Sequence, residues 1–147
     1  MGKAPRGFRE GKFQYHEEVD VGIDNVTNLG QGVGRADGWV IMVPFALLGE
    51  RVRARIYRNH ANYSDADLVE VLQASPDRVE PRCKLFGLCG GCQYQNLNYE
   101  AQLSIKTRHV QELVDRNLEG SFHVYPSIGS PQSYGYRSKL TPHFQKP

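Results

Sequence analysis

Every cysteine of the chain falls in one short run, Cys83-Lys84-Leu85-Phe86-Gly87-Leu88-Cys89-Gly90-Gly91-Cys92. Three thiols are an odd number, and the run is too short to staple a fold, so a disulfide framework fits poorly. Soft thiolates gathered this closely are donors for zinc, copper or an iron–sulfur cluster. Gly90 and Gly91 let backbone N–H groups turn inward toward cluster sulfurs. A structural zinc site usually pairs two short hooks. Only one, Cys89 to Cys92, is present, and neither His60 nor His109 lies at hook spacing. Three near cysteines with one remote cysteine is a common plan for an iron–sulfur cluster. Cys83, Cys89 and Cys92 are therefore expected to bind metal and to need one ligand more than the segment contains. Zinc is the competing metal.

A second group of residues suits nucleic acid. From Arg51 to Tyr57 the chain alternates strictly, with Val52, Ala54 and Ile56 on one face and Arg51, Arg53, Arg55 and Tyr57 on the other. Guanidiniums pair with phosphate in bidentate fashion and stack on bases, and an aromatic in line adds a stacking surface. The alternative is a solvated strand face, paired with neighbouring acids. The run Leu29-Gly30-Gln31-Gly32-Val33-Gly34-Arg35 resembles a phosphate-cradling loop, but a dinucleotide fingerprint must open a helix. Here it runs into Asp37-Gly38 and an apolar strand, so the glycines are expected to form a turn or barrel corner. Their freedom could still let backbone N–H groups approach an RNA phosphate beside Arg35. His16, His60, His109, His123 and His143 are scattered, and Glu17, Glu18 and Asp20 read as a solvated strand entry. No Ser/His/Asp arrangement and no acid–base carboxylate pair is apparent.

The elements that must hold these groups follow from patterning. Val19 to Val26, Trp39 to Val43, Arg51 to Tyr57 and Asp67 to Leu72 read as short strands, with Gly and Asn between them. Several short strands at close spacing suggest a small closed barrel. Residues 1–16 are polar and basic and are expected to form a flexible arm. Pro76 and Pro81 bracket a linker to the cysteines. Asn98 is a good N-cap, Glu100 suits the first turn of a helix, and Leu103, Val110, Leu113, Val114 and Leu118 recur at helical spacing up to Gly120. A Pro- and Gly-rich loop follows, and Tyr136 to Thr141 reads as the start of another strand.

The 147 residues allow one average domain or two small ones, and 39% hydrophobic content allows only a modest core. Residues 1–76 carry 9 Lys/Arg against 10 Asp/Glu, whereas residues 77–147 carry 9 against 6, so the basic surplus lies around and after the cysteines. No stretch approaches the roughly 20 apolar residues of a membrane span. Clustered reduced thiols without a secretory signal point to a reducing compartment, the cytoplasm, with an organelle as the alternative.

The run Cys83-x5-Cys89-Gly90-Gly91-Cys92-Gln93-Tyr94-Gln95, then Tyr99-Glu100-Ala101-Gln102-Leu103 and Lys106, resembles the iron–sulfur segment of the RNA 5-methyluridine methyltransferases. Ile128-Gly129-Ser130-Pro131 and Tyr134-Gly135-Tyr136-Arg137-Ser138-Lys139 extend the likeness, and residues 19–74 resemble the TRAM domain that precedes the cluster in many members. The resemblance implies a fold that is mainly β and then α+β. It comprises a small five-stranded OB-like barrel over 17–76, then an iron–sulfur loop, a helix and the start of a central domain over 77–147. It also implies a 4Fe–4S cluster with three of its four ligands here, and RNA, ribosomal or transfer, as partner. Arg35, Arg51, Arg53, Arg55, Tyr57, Arg137 and Lys139 are the candidate RNA contacts. In that family a cysteine thiolate adds to C6 of uracil, S-adenosylmethionine supplies the methyl group, and a carboxylate removes the C5 proton. Those catalytic and cofactor-binding residues match no position of this chain, so they and the fourth cysteine are expected beyond it, in a monomeric protein of which this is the N-terminal part. The alternatives are a stand-alone RNA-binding module with a structural metal and no catalysis, and a zinc-stabilised module.

Overall fold

A computed structural model of the chain describes residues 4–136. The chain divides into two compact units, Met1–Pro76 and Asp77–Pro147. The first holds β1 (Glu18–Val26), β2 (Gln31–Ala36), β3 (Trp39–Pro44), β4 (Arg51–Asn59) and β5 (Tyr63–Gln73). These close into a barrel in the order β1, β2, β3, β5, β4. All neighbours are antiparallel except β3 and β5, which run parallel from Val40 opposite Tyr63 to Met42 opposite Asp65.

The inward face is the apolar half of each alternating strand. Val21, Ile41, Val43, Val52, Ala54, Ile56 and Ala66 are wholly buried, with Ile23 and Phe13 close to it. Closure removes free sheet edges. Asp37 and Gly38 both adopt left-handed φ, 48° and 77°, which is the two-residue hairpin turn matching strand twist between β2 and β3.

The glycine run differs from its reading as a turn or corner. Only Gly30 turns, at φ 79° with its N–H donating to the Thr27 carbonyl at 2.9 Å. From Gln31 onward the run is strand β2. Its alternate glycines face inward, where backbones press together. A Cβ on Gly32 would stand 2.8 Å from the Ala46 carbonyl oxygen, and one on Gly34 would run into the Gly22 carbonyl oxygen. Close approach between strands is why these positions hold no side chain.

The N-terminal arm is also corrected over its later residues. Phe13 is buried against the barrel core. The buried Asn59 side chain donates through Nδ2 to the carbonyls of Arg9 at 3.1 Å and Phe13 at 2.7 Å. Its Oδ1 accepts from Ser64 Oγ at 2.7 Å, and Ser64 Oγ accepts from Trp39 Nε1 at 3.0 Å. A basic composition had suggested solvation, but one apolar side chain and two satisfied carbonyls are enough to dock the arm. The buried Glu50 closes another seam, accepting from Leu47 N at 2.8 Å and Ser75 N at 3.2 Å.

The second unit holds α1 (Tyr99–Asn117). Asn98 caps it, its side chain accepting from Ala101 N at 2.8 Å, with Glu100 in the first turn. The apolar face expected on α1 is largely open: Ile105 is buried, but Val110, Leu113 and Leu118 are each about half exposed. Another row is engaged. Tyr99, Leu103, Thr107 and Gln111, four residues apart, read out the extended segment that follows the helix. Gln111 donates to the Phe122 carbonyl and accepts from Val124 N, both at 2.8 Å. Thr107 Oγ1 accepts from Ser127 N, and the Tyr99 hydroxyl accepts from Ser130 N, again at 2.8 Å. Gly129 lies where a Cβ would touch Leu103 at 3.2 Å. The strand expected from Tyr136 lies, beyond Tyr136 itself, outside the described residues. Among the described residues no helix is long and apolar enough to cross a membrane.

Replacing Gly34 with Ala forces a methyl into the β1 backbone, so chemical denaturation should show a loss of about 1–3 kcal/mol. A loss under about 1 kcal/mol would mean that β1 and β2 do not approach as closely as described.

Candidate nucleic-acid interface and cysteine segment

Strand β4 presents the arginine stripe outward, as its period-two pattern requires, and register decides what each guanidinium meets. Arg55 stands opposite Glu18 on β1 and Asp67 on β5, and Arg53 opposite Asp20 and Glu70. Arg55 pairs with Asp67 at 3.3 Å, while Arg53 pairs with Asp20 at 3.3 Å and Glu70 at 3.0 Å. Arg51 reaches Asp20 only diagonally, at 3.5 Å, and its side chain is 62% exposed. Much of the stripe is thus the acid-paired strand face named above as the alternative. Exposed pairs of this kind are worth about 0–1 kcal/mol each, so a phosphate can displace a carboxylate at low cost. Burial, together with the nearby Asp65 and Asp67 carboxylates, raises the Tyr57 hydroxyl above the ordinary phenol range. It stays a neutral hydrogen-bonding ring at neutral pH.

Arg35 lies on β2, and the barrel brings it onto the same outer face as Arg51. Gly22 of β1 is the Cα partner of Arg51 on one side and of Arg35 on the other. That convergence is invisible without the register, because the three residues are remote in sequence. Arg137 and Lys139 lie outside the described residues.

In the second unit the cysteine loop is closed at its base. Arg78 and Leu97 form an antiparallel bridge, Val79 N donates to the Asn96 carbonyl at 2.9 Å, and Asn98 Nδ2 donates to Asp77 Oδ1 at 2.7 Å. From α1, Gln102 Nε2 donates to the carbonyls of Tyr94 at 3.0 Å and Leu97 at 2.8 Å. Lys106 sits 5.6 Å over the Tyr94 ring. Within the loop Cys89 N donates to the Leu85 carbonyl at 2.9 Å. Gln95, whose role spacing alone did not reveal, spans the run: its Oε1 accepts from Cys83 N at 3.1 Å and its Nε2 donates to Cys92 Sγ at 3.0 Å. One amide thereby links the first and last cysteines.

All three cysteines are free thiols, two exposed and Cys89 half-buried. Their donor chemistry fits a thiophilic metal, and an N–H donor already addresses one sulfur, as outer partners of metal-bound thiolates do. Among the described residues, however, no group of three or more His, Cys, Asp or Glu stands together as a metal site. The loop is shaped and tethered by the hydrogen bonds of Gln95 and Gln102.

Comparison with known proteins agrees with this architecture. The TRAM domain model matches residues 12–69. The chain is 37% identical over 143 residues to a tRNA (uracil(54)-C(5))-methyltransferase of Schizosaccharomyces pombe, covering 92% of this chain and 27% of that protein. It is 42% identical over 123 residues to the 23S rRNA (uracil(1939)-C(5))-methyltransferase RlmD of Thiobacillus denitrificans, covering 81% and 28%. The crystal structure of Pyrococcus abyssi tRNA (uracil-54, C5)-methyltransferase in complex with S-adenosyl-L-homocysteine aligns with a TM-score of 0.44 at 28% identity, over 65% of this chain and 21% of that one. The chain spans little more than a quarter of the length of the curated relatives it matches. The chain thus carries a TRAM domain, and its likeness to proteins named as RNA uracil-C5-methyltransferases runs on through the cysteine segment and its helix.

Proposed function

We propose that this chain is the RNA-binding and iron–sulfur portion of an S-adenosylmethionine-dependent enzyme that makes 5-methyluridine in ribosomal or transfer RNA. The observation that carries the proposal is continuity: relatives named for uracil-C5 methylation match across both the barrel and the cysteine segment. The barrel contributes electrostatic contacts to RNA through Arg35, Arg51, Arg53 and Arg55, with Tyr57 as an aromatic neighbour. Arg137 and Lys139 are proposed to add contacts in the second unit. Phosphate contacts of this kind position a substrate without reading its sequence.

Cys83, Cys89 and Cys92 would hold three corners of a 4Fe–4S cluster, with Gln95 and the glycine turn supplying hydrogen bonds around the sulfurs. When bound, such a cluster would fasten this short loop to a more distant ligand and so make the local fold depend on metal. None of the three thiols is then free to act as a nucleophile, and in this proposal the methyl-transfer step uses residues that this chain does not supply. Free thiols persist in the cytoplasm, the compartment the proposal assigns.

A second reading is an RNA-binding module with a structural zinc, since clustered thiolates are donors for zinc as well as for a cluster. Metal analysis separates the two. Anaerobic reconstitution is expected to yield iron together with inorganic sulfide; stoichiometric zinc without sulfide would replace the cluster reading. Cobalt(II) titration provides a second readout through thiolate charge-transfer absorbance. Gln95→Ala should weaken cobalt affinity on the order of 10-fold, the usual scale for losing an outer partner of a metal ligand. Unchanged affinity would remove Gln95 from the site.

For the barrel, the Arg51, Arg53 and Arg55 to Ala triple variant should bind RNA more weakly, with a flatter dependence of log affinity on log salt. The same salt slope as the parent chain would exclude the stripe from the interface.

A further inference from the structure

Along the outer face of β1 the residues opposite β4 read Glu18, Asp20, Gly22, facing Arg55, Arg53 and Arg51. Two rungs of this ladder carry an acid and the third carries nothing. On its other side, in β5, Arg51 faces Gln73. Neither cross-strand neighbour of Arg51 is therefore acidic. The same holds for Arg35, whose neighbours are Gly22 and Val40. Among the described residues no carboxylate forms an ion pair with Arg35. Adjacent strands lie about 4.8 Å apart, so the two arginines rise from either side of Gly22 with backbones roughly 10 Å apart.

The barrel gives no internal reason for the glycine. Gly22 is exposed and outside the left-handed φ region, and a Cβ built on it would meet nothing within 4 Å. The irregularity between Ile23 and Asn25 beside it adopts no positive φ either. Gly32 and Gly34 are required by close backbones; Gly22 is not. A glycine within a strand weakens it and can mark where a ligand backbone approaches closely.

We propose that Arg35, Gly22 and Arg51 form a saddle that seats an RNA phosphodiester. The bare backbone of Gly22 lets the phosphate settle between two guanidiniums that the ladder leaves without a facing acid. The seat rests on the RNA-binding reading above and narrows it to one point on the barrel. Two carboxylates border it along β1, Asp20 and Asp24. Asp20 is already engaged by Arg51 and Arg53. Asp24 is exposed beside the register shift between Ile23 and Asn25.

The test uses the 147-residue chain and a fluorescein-labelled, unmodified tRNA transcript, read by anisotropy across a salt series. Gly22→Asp continues the acid ladder, and Gly22→Val fills the saddle without charge. Both should leave the thermal midpoint unchanged or raised, while Gly22→Asp weakens binding about 10-fold. Arg35→Ala and Arg51→Ala should each flatten the salt slope by about 0.9, the value for one lost phosphate contact. Adding Gly22→Asp to the double arginine variant should cost little more, because the residues act on one seat. Wild-type affinity and slope in Gly22→Asp and in both arginine variants would overturn the saddle. A parent chain that binds no RNA would instead remove the RNA-binding reading itself. Loss of binding to a protein partner, with RNA binding intact, would reassign the face.

Discussion

The barrel depends on a contact that excludes any side chain. At Gly34 the backbone of β2 lies so close to the Gly22 carbonyl that even a methyl group does not fit. Strands that approach this closely can pair in one way only, since a slip of one residue would turn the inward valines and isoleucines to solvent. Gly34 therefore helps to set the register of β2 against β1. Through the unbroken ladder from Val19 opposite Ala54 to Gly22 opposite Arg51, that register is passed to β4. The charge pattern outside the barrel follows from a steric condition inside it.

That pattern sets arginines and acids side by side on the outer face of the barrel. Acids on β1 and β5 flank Arg53 and Arg55 and hold their guanidiniums in place. The pairs are solvent-facing, so they orient the arginines more than they stabilise the barrel. In the proposed interface incoming phosphates would exchange with these carboxylates, so affinity is expected to respond steeply to salt. Arg51 and Arg35 differ in having no acid across the strand. In the second unit polar side chains do comparable work. Gln95 ties the cysteine run together, and Gln102 and Gln111 hold backbone on either side of α1. A single side-chain amide can both donate and accept, which suits short irregular segments whose backbone groups lack ladder partners.

Much of this was legible from residue order. The alternation from Val52 to Ile56 marks β4, and Asn98 caps the helix as its side chain allows. Three features were not legible, for physical reasons. The glycine run forms a strand because neighbouring backbones crowd it, and crowding is a tertiary fact. The arm near Phe13 is docked because Asn59 and the core receive it, although its composition is that of solvated chain. The acids that pair with the arginine stripe lie up to 33 residues away, so only the sheet register identifies them. On α1 the apolar spacing marked the helix correctly, but the row that contacts the following segment is partly polar. The cysteine run announced its donor chemistry, whereas the Gln95 link between Cys83 and Cys92 depends on how the loop folds.

The proposed seat at Arg35, Gly22 and Arg51 is the point on which the RNA-binding reading can be tested most directly. The direct measurement is amide chemical-shift mapping of the isotope-labelled chain during titration with an unmodified tRNA transcript. The account predicts that the largest changes fall on β4, β1 and β2 around Arg51, Gly22 and Arg35. Changes confined to the opposite wall, around Met42 and Asp65, would contradict it.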